Sequence, residues 1–151
     1  MTSASAVTIT ITGGQGELTN VCDGQYYYKN GQHYVLFREE LAEDGGAQKT
    51  VFSSRLKISE DQVVLRRSLS DEDASARKHV MEFIYREQKP EEPGCFVDYP
   101  SPYGVMRLEI RTKKLRIKHG EEEMELRIFY HMLQEGQEVS RDELKILIKK
   151  N

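Results

Sequence analysis

The sequence predicts an all-β fold, an antiparallel up-and-down β-barrel of about eight or nine strands. Three observations carry that prediction. Apolar residues recur at every second position through much of the chain. Turn-forming residues fall between the alternating segments. No window carries a long helical stripe with caps.

The segments follow in order. Val7, Ile9 and Ile11 alternate with threonines. Tyr26-Tyr27-Tyr28 and His33-Tyr34-Val35 flank Asn30-Gly31, a pair that tolerates the positive φ of a tight hairpin turn. Asp44-Gly45-Gly46 closes the next strand, and Ser59-Glu60-Asp61 separates Leu56-Ile58 from Val63-Leu65. Ser70 to Arg77 is short and polar and reads as a loop. All four prolines (Pro90, Pro93, Pro100, Pro102) lie in one stretch, which reads as a connection because proline cannot donate to a ladder. Glu135-Gly136 separates the last two alternating runs. The expected strands are 6–12, 17–29, 32–40, 48–58, 62–68, 77–87, 103–118 (bent near Thr112), 121–134 and 138–149.

Hairpin register assigns the faces. A two-residue turn at Asn30-Gly31 sets Tyr28 opposite His33, Tyr26 opposite Val35 and Gly24 opposite Phe37. Opposed residues share a face, so Tyr28, Tyr26, Val35, Phe37 and Cys22 point inward. The same parity turns inward Phe52, Ser54, Leu56 and Ile58, then Val63, Leu65 and Arg67, then His79, Met81, Phe83 and Tyr85, then Met106, Leu108, Ile110 and Thr112. The last two strands keep both apolar sets inward only if one residue is extra, which predicts a β-bulge near Ser140-Arg141-Asp142.

With 151 residues and a net charge of −3, residues 1–151 read as one domain. The acidic balance makes nucleic acid an unexpected partner. Met1 to Ala6 has neither a basic start nor an apolar stretch, and no apolar run approaches the roughly 18 residues of a membrane helix. A cytoplasmic protein that does not cross a membrane is expected. Cys22 and Cys95 have no metal-ligand spacing and read as free thiols.

Four inward positions are polar: Glu39, Arg67, His79 and Thr112. Strand counting places all four at the mouth opposite the Asn30-Gly31 turn, with Thr112 ending an upward strand. A buried charge needs a partner, so Glu39 and Arg67 are expected to bond each other or a ligand. The quartet is the candidate ligand-binding site, and it equally suits an ion-pair plug that closes the barrel. No catalytic residue, metal site or cofactor is indicated. His33, His119 and His131 are scattered, and no phosphate loop, nucleophile elbow or HExxH motif occurs. Outward Phe129, Leu133 and Leu147 form an expected apolar patch for a loop, a terminal segment or a second copy in a homodimer. Arg111, Lys113, Lys114, Arg116 and Lys118 read as a solvated face.

The order of these segments resembles the bacterial YwiB-like proteins, a family of unknown function with a calycin-like (lipocalin-type) barrel. The parts that carry the resemblance are Val7-Thr8-Ile9-Thr10-Ile11, Gly24 to Gly31, Val63-Val64-Leu65-Arg67, Met81-Glu82-Phe83, Ser101-Pro102-Tyr103-Gly104 and Leu108 to Thr112. The family often carries Gly where Ser68 stands here. The resemblance implies the fold and a bacterial cytosolic setting, and no activity. The expected function is a non-enzymatic binding module for a small ligand at one barrel mouth. The alternative is a protein- or RNA-interaction domain that uses its outer surface.

Overall fold

The computed structural model describes residues 4–13, 19–43, 48–69, 80–101 and 104–151. Every regular element among them is a strand: β1 (Ser5–Gly13), β2 (Thr19–Lys29), β3 (Gln32–Glu43), β4 (Gln48–Ile58), β5 (Val63–Leu69), β6 (Val80–Tyr85), β7 (Cys95–Ser101), β8 (Gly104–His119), β9 (Glu123–Gln134) and β10 (Gln137–Lys150). They form one antiparallel sheet in the order β6-β5-β4-β3-β2-β1-β10-β9-β8-β7. Sequence neighbours pair except β6 and β7, which lie at the two edges, and β1 pairs with β10 to join the two ends of the chain. No helix among the described residues is long and apolar enough to cross a membrane. The loop expected at Ser70 to Arg77 lies outside the described residues.

The hairpin register is the expected one, from Lys29–Gln32 to Gly24–Phe37. Asn30 and Gly31 both have positive φ (53° and 77°), as the tight turn requires. Glu135 and Gly136 repeat that conformation between β9 and β10 (51° and 80°).

The inward parity also holds. Val35, Phe37, Leu56, Ile58, Val63, Leu65, Phe83, Leu108, Ile110, Leu126, Ile128 and Ile146 belong to one buried core. Tyr28 is the exception: it lies at the rim and is 45% exposed, because the barrel ends there.

Two bulges keep the faces in phase. The ladder of β9 and β10 shifts between Glu138 and Ser140, leaving Val139 as the extra residue just before the expected site. A second shift lies between Thr112 and Lys114 on β8. Before it the even-numbered Leu108, Ile110 and Thr112 face inward. After it the odd-numbered Leu115 and Ile117 pack on the core instead.

One strand was not expected. Cys95–Ser101 is β7, although it contains Pro100. Because β7 is an edge strand with β8 as its only ladder partner, a residue without an N–H is tolerated there. The added strand reverses β8, which runs away from the mouth that Thr112 was expected to reach.

The two edges, β6 and β7, pack against each other without forming a ladder. A parallel bridge between Glu87 and Thr112 joins the sides. Gln88 N donates to Thr112 O (3.1 Å), and Leu115 N donates to a carboxylate oxygen of Glu87 (2.9 Å). The barrel is therefore nearly closed. Both edge strands are short, which limits the backbone offered to a stray partner.

Gly24 shows how tightly the wall packs. A Cβ there would lie 2.5 Å from Ile9 Cδ1 and 2.6 Å from Leu36 O. Gly24→Ala is expected to cost about 1–3 kcal/mol through overpacking. The loss should show as a lower urea midpoint with an unchanged slope.

Candidate functional site

Glu39, Ser54 and Arg67 come from adjacent strands. Ser54 on β4 lies opposite both Phe37 on β3 and Arg67 on β5, so Glu39 and Arg67 reach it from either side. Glu39 is only 1% exposed. Its carboxylate accepts three hydrogen bonds: Ser54 Oγ to Oε1 (2.6 Å), Arg67 Nε to Oε1 (2.9 Å) and Arg67 Nη2 to Oε2 (2.9 Å). The guanidinium, on a side chain 19% exposed, lies 5.6 Å from the centroid of the Phe83 ring.

This bidentate geometry is the strong form of a charge-assisted bond. Burial alone would lower the Arg67 pKa. The hydrogen bond and charge of Glu39 outweigh that, so Arg67 holds its proton above the usual arginine range. Cys22 is nearby, and burial and then the Glu39 charge push its thiol up to about 11. It is inert as a nucleophile at neutral pH.

Two tyrosines complete the polar interior. Tyr85 and Tyr130 are buried, with ring centroids 5.2 Å apart across the seam. Burial raises both pKa values, Tyr130 to about 12 with a contribution from the Asp142 charge. Both stay neutral and keep their protons available for donation. The Arg67 charge reaches both. Asp142 accepts from Ser140 Oγ at 2.7 Å.

Of the four expected site residues, Glu39 and Arg67 are joined directly. Thr112 is buried beside its ladder partner Tyr130, on the far side of the tyrosine pair. Its hydroxyl has no hydrogen-bond partner. His79 lies outside the described residues. Tyr85 and Tyr130 occupy inward positions by parity, but nothing in the alternation marks them as partners. Their contact depends on β6 meeting the far end of the sheet.

The opposite mouth holds a cluster that the sequence disperses. His33 on β3 and His119 on β8 lie five strands apart in the sheet order, yet their rings are 5.0 Å apart. They meet across the lumen. Tyr28 packs on His33 at 4.9 Å, and the Tyr26 hydroxyl lies 2.7 Å from His33 Nδ1. Beside them is a cleft of about 190 Å³, lined in part by Tyr26, His119, Met124 and Lys150.

Among the described residues, no group of three or more His, Cys, Asp or Glu side chains is placed to hold a metal ion. The outward Phe129, Leu133 and Leu147 are half-buried. The ladder sets Arg127 and Lys145 between Phe129 and Leu147, so the three do not form one continuous patch.

Two outcomes follow. Glu39→Ala strands the Arg67 charge and is expected to cost about 3–5 kcal/mol, whereas Glu39→Leu with Arg67→Met recovers most of that loss. Urea unfolding of the two variants measures the difference. The second concerns acid. Burial, then the nearby His119, lowers the His33 pKa below its usual 6.5. The unfolded chain therefore binds a proton that the folded chain resists. Stability from this site is complete above about pH 6.5 and falls as pH drops through the lowered value. The urea midpoint should drop between about pH 7.5 and 5.5 by more in the wild type than in His33→Gln.

Comparison with known proteins adds the fold and a family. No curated protein matches the chain. The crystal structure of ywiB protein from Bacillus subtilis is similar, with a TM-score of 0.67 at 18% sequence identity, covering 99% of this chain and 95% of that one. At that identity the likeness is one of fold. The description "Domain of unknown function (DUF1934)" matches residues 4–146. Nearly the whole length lies within that match, and the chain belongs to the DUF1934 family.

Proposed function

We propose that the protein is a cytoplasmic, calycin-like binding module without enzymatic activity, and that it holds a small ligand around Arg67. The observation that carries this reading is the fixed guanidinium. Ser54 and Glu39 hold Arg67 in one position, within electrostatic reach of Tyr85, Tyr99 and Tyr130. Few placed donors in an apolar surround are the usual composition of a small-molecule site.

The electrostatics narrow the ligand. Glu39 already offsets the Arg67 charge, so the pair offers donors without a large net field. The two tyrosines are neutral donors. An apolar molecule with a neutral hydrogen-bond-accepting head, such as a carbonyl or ether oxygen, fits better than a carboxylate. Glu39 is unsuited to general-base work, because both of its oxygens already accept bonds.

Mass spectrometry under native conditions, on protein purified from its own host, tests the reading. The expected result is a bound small mass that is lost on Tyr130→Phe, a change that preserves ring packing. Absence of any bound mass, with Tyr130→Phe altering nothing but stability, would refute it.

A further inference from the structure

We propose that the mouth opposite Arg67 holds a copper(I) ion between His33, His119 and Met124. This site stands apart from the interior donors around Arg67. It is made by the fold and by no local motif. His33 lies at the start of β3, His119 at the end of β8 and Met124 at the start of β9.

The spacing of the two imidazoles carries the proposal. Their ring centroids are 5.0 Å apart and their planes 50° apart, so the rings are not stacked. No hydrogen bond joins the two side chains among the described residues. Two imidazoles bonded to one ion at about 2.0 Å, at a tetrahedral or trigonal angle, hold their ring centres about 5 Å apart. The observed spacing is that of two rings sharing an ion.

The surroundings prepare each donor. The Tyr26 hydroxyl lies 2.7 Å from His33 Nδ1, and Tyr28 packs on the same ring at 4.9 Å. With Nδ1 engaged, Nε2 is the nitrogen left for an ion. An ion on Nε2 leaves the proton on Nδ1, which donates it to Tyr26. Such an outer partner fixes the tautomer and orientation of a metal-bound histidine. His119 is exposed, and its ring nitrogens have no hydrogen-bond partner among the described residues. Met124 is the ladder partner of His119, so the two side chains share the inward face with Cβ atoms about 5 Å apart. Both line the cleft of about 190 Å³, which gives an ion its way in.

The donor set selects the metal. Zinc is ordinarily held by imidazole, thiolate and carboxylate. Among the described residues, no third His, Cys, Asp or Glu joins this pair, and the glutamates around the β8–β9 turn do not complete it. Two imidazoles with a neutral thioether suit the soft ion copper(I). Lys150 also lines the cleft and repels a divalent ion about twice as strongly as a monovalent one. Val7 and Ile148 make part of the wall apolar, where the smaller charge costs less to bury.

Competition with bicinchoninate under anaerobic, reducing conditions tests the proposal. The wild type should withhold copper(I) from the chelator at one ion per chain. X-ray absorption of the loaded protein should show two nitrogen neighbours and one sulfur. Met124→Leu conserves volume and should weaken binding with loss of the sulfur signal. His119→Ala should abolish binding while its urea midpoint holds, because the ring is exposed. Tyr26→Phe should weaken binding about 10-fold or more. His131→Ala, beside Glu138 on the outer face, and Cys95→Ser should leave it unchanged. The proposal fails if the chelator strips the protein completely, if His119→Ala binds as tightly as the wild type, or if Cys95→Ser removes the sulfur signal. It also fails if zinc(II) at equal concentration displaces the copper.

Discussion

The structure depends on parity. A barrel wall works only if every strand turns the same set of alternate residues toward one interior, and a slip of one residue reverses a whole strand. This chain meets that demand with long runs of strict alternation and with two inserted residues. Lys113 on β8 and Val139 on β10 are each skipped by the ladder, and the apolar series resumes in phase beyond them. Without the first, Leu115 and Ile117 would lie on the outside with Lys114 and Arg116 in the core. The bulges are therefore part of how the sequence encodes the interior.

The interior so formed is apolar apart from a few polar groups, among which the Thr112 hydroxyl is buried without a partner and the Glu39 carboxylate is fully paired. Glu39 is the deepest charged group, and three donors satisfy it. Arg67 gains a fixed position and keeps its exposed side near two neutral tyrosines. The energetic consequence differs from that of a surface pair. The attraction must offset the desolvation of both groups, so removal of one partner harms more than replacement of both. Placement of such a pair inside the barrel gives the wall a unique arrangement around one point.

Much of this was legible from residue order. The turn at Asn30-Gly31, the register from Lys29 to Phe37, the core positions from Val35 to Ile128 and the pairing of Glu39 with Arg67 all follow from alternation and turn chemistry. What escaped was whatever depends on closure. β7 was hidden because Pro100 argues against a strand unless the strand is known to lie at an edge. Missing it inverted β8 and moved Thr112 from a mouth to the seam beside Tyr130. Tyr85 with Tyr130, and His33 with His119, are contacts between strands that are distant along the sheet, and local pattern carries no sign of them. The expected apolar patch at Phe129, Leu133 and Leu147 failed for a simpler reason: same-face neighbours Arg127 and Lys145 intervene.

The line where β6 meets β7 and β8 has a mechanical meaning. Nine ladders hold the other strand neighbours together, whereas among the described residues this side has one bridge, the backbone bond from Gln88 N to Thr112 O and the tilted Tyr85–Tyr130 rings. Widening of the wall there breaks fewer backbone bonds than at any ladder. The Tyr85–Tyr130 contact spans that line and also borders Arg67. The contact that closes this line is therefore also the one that borders the interior donors.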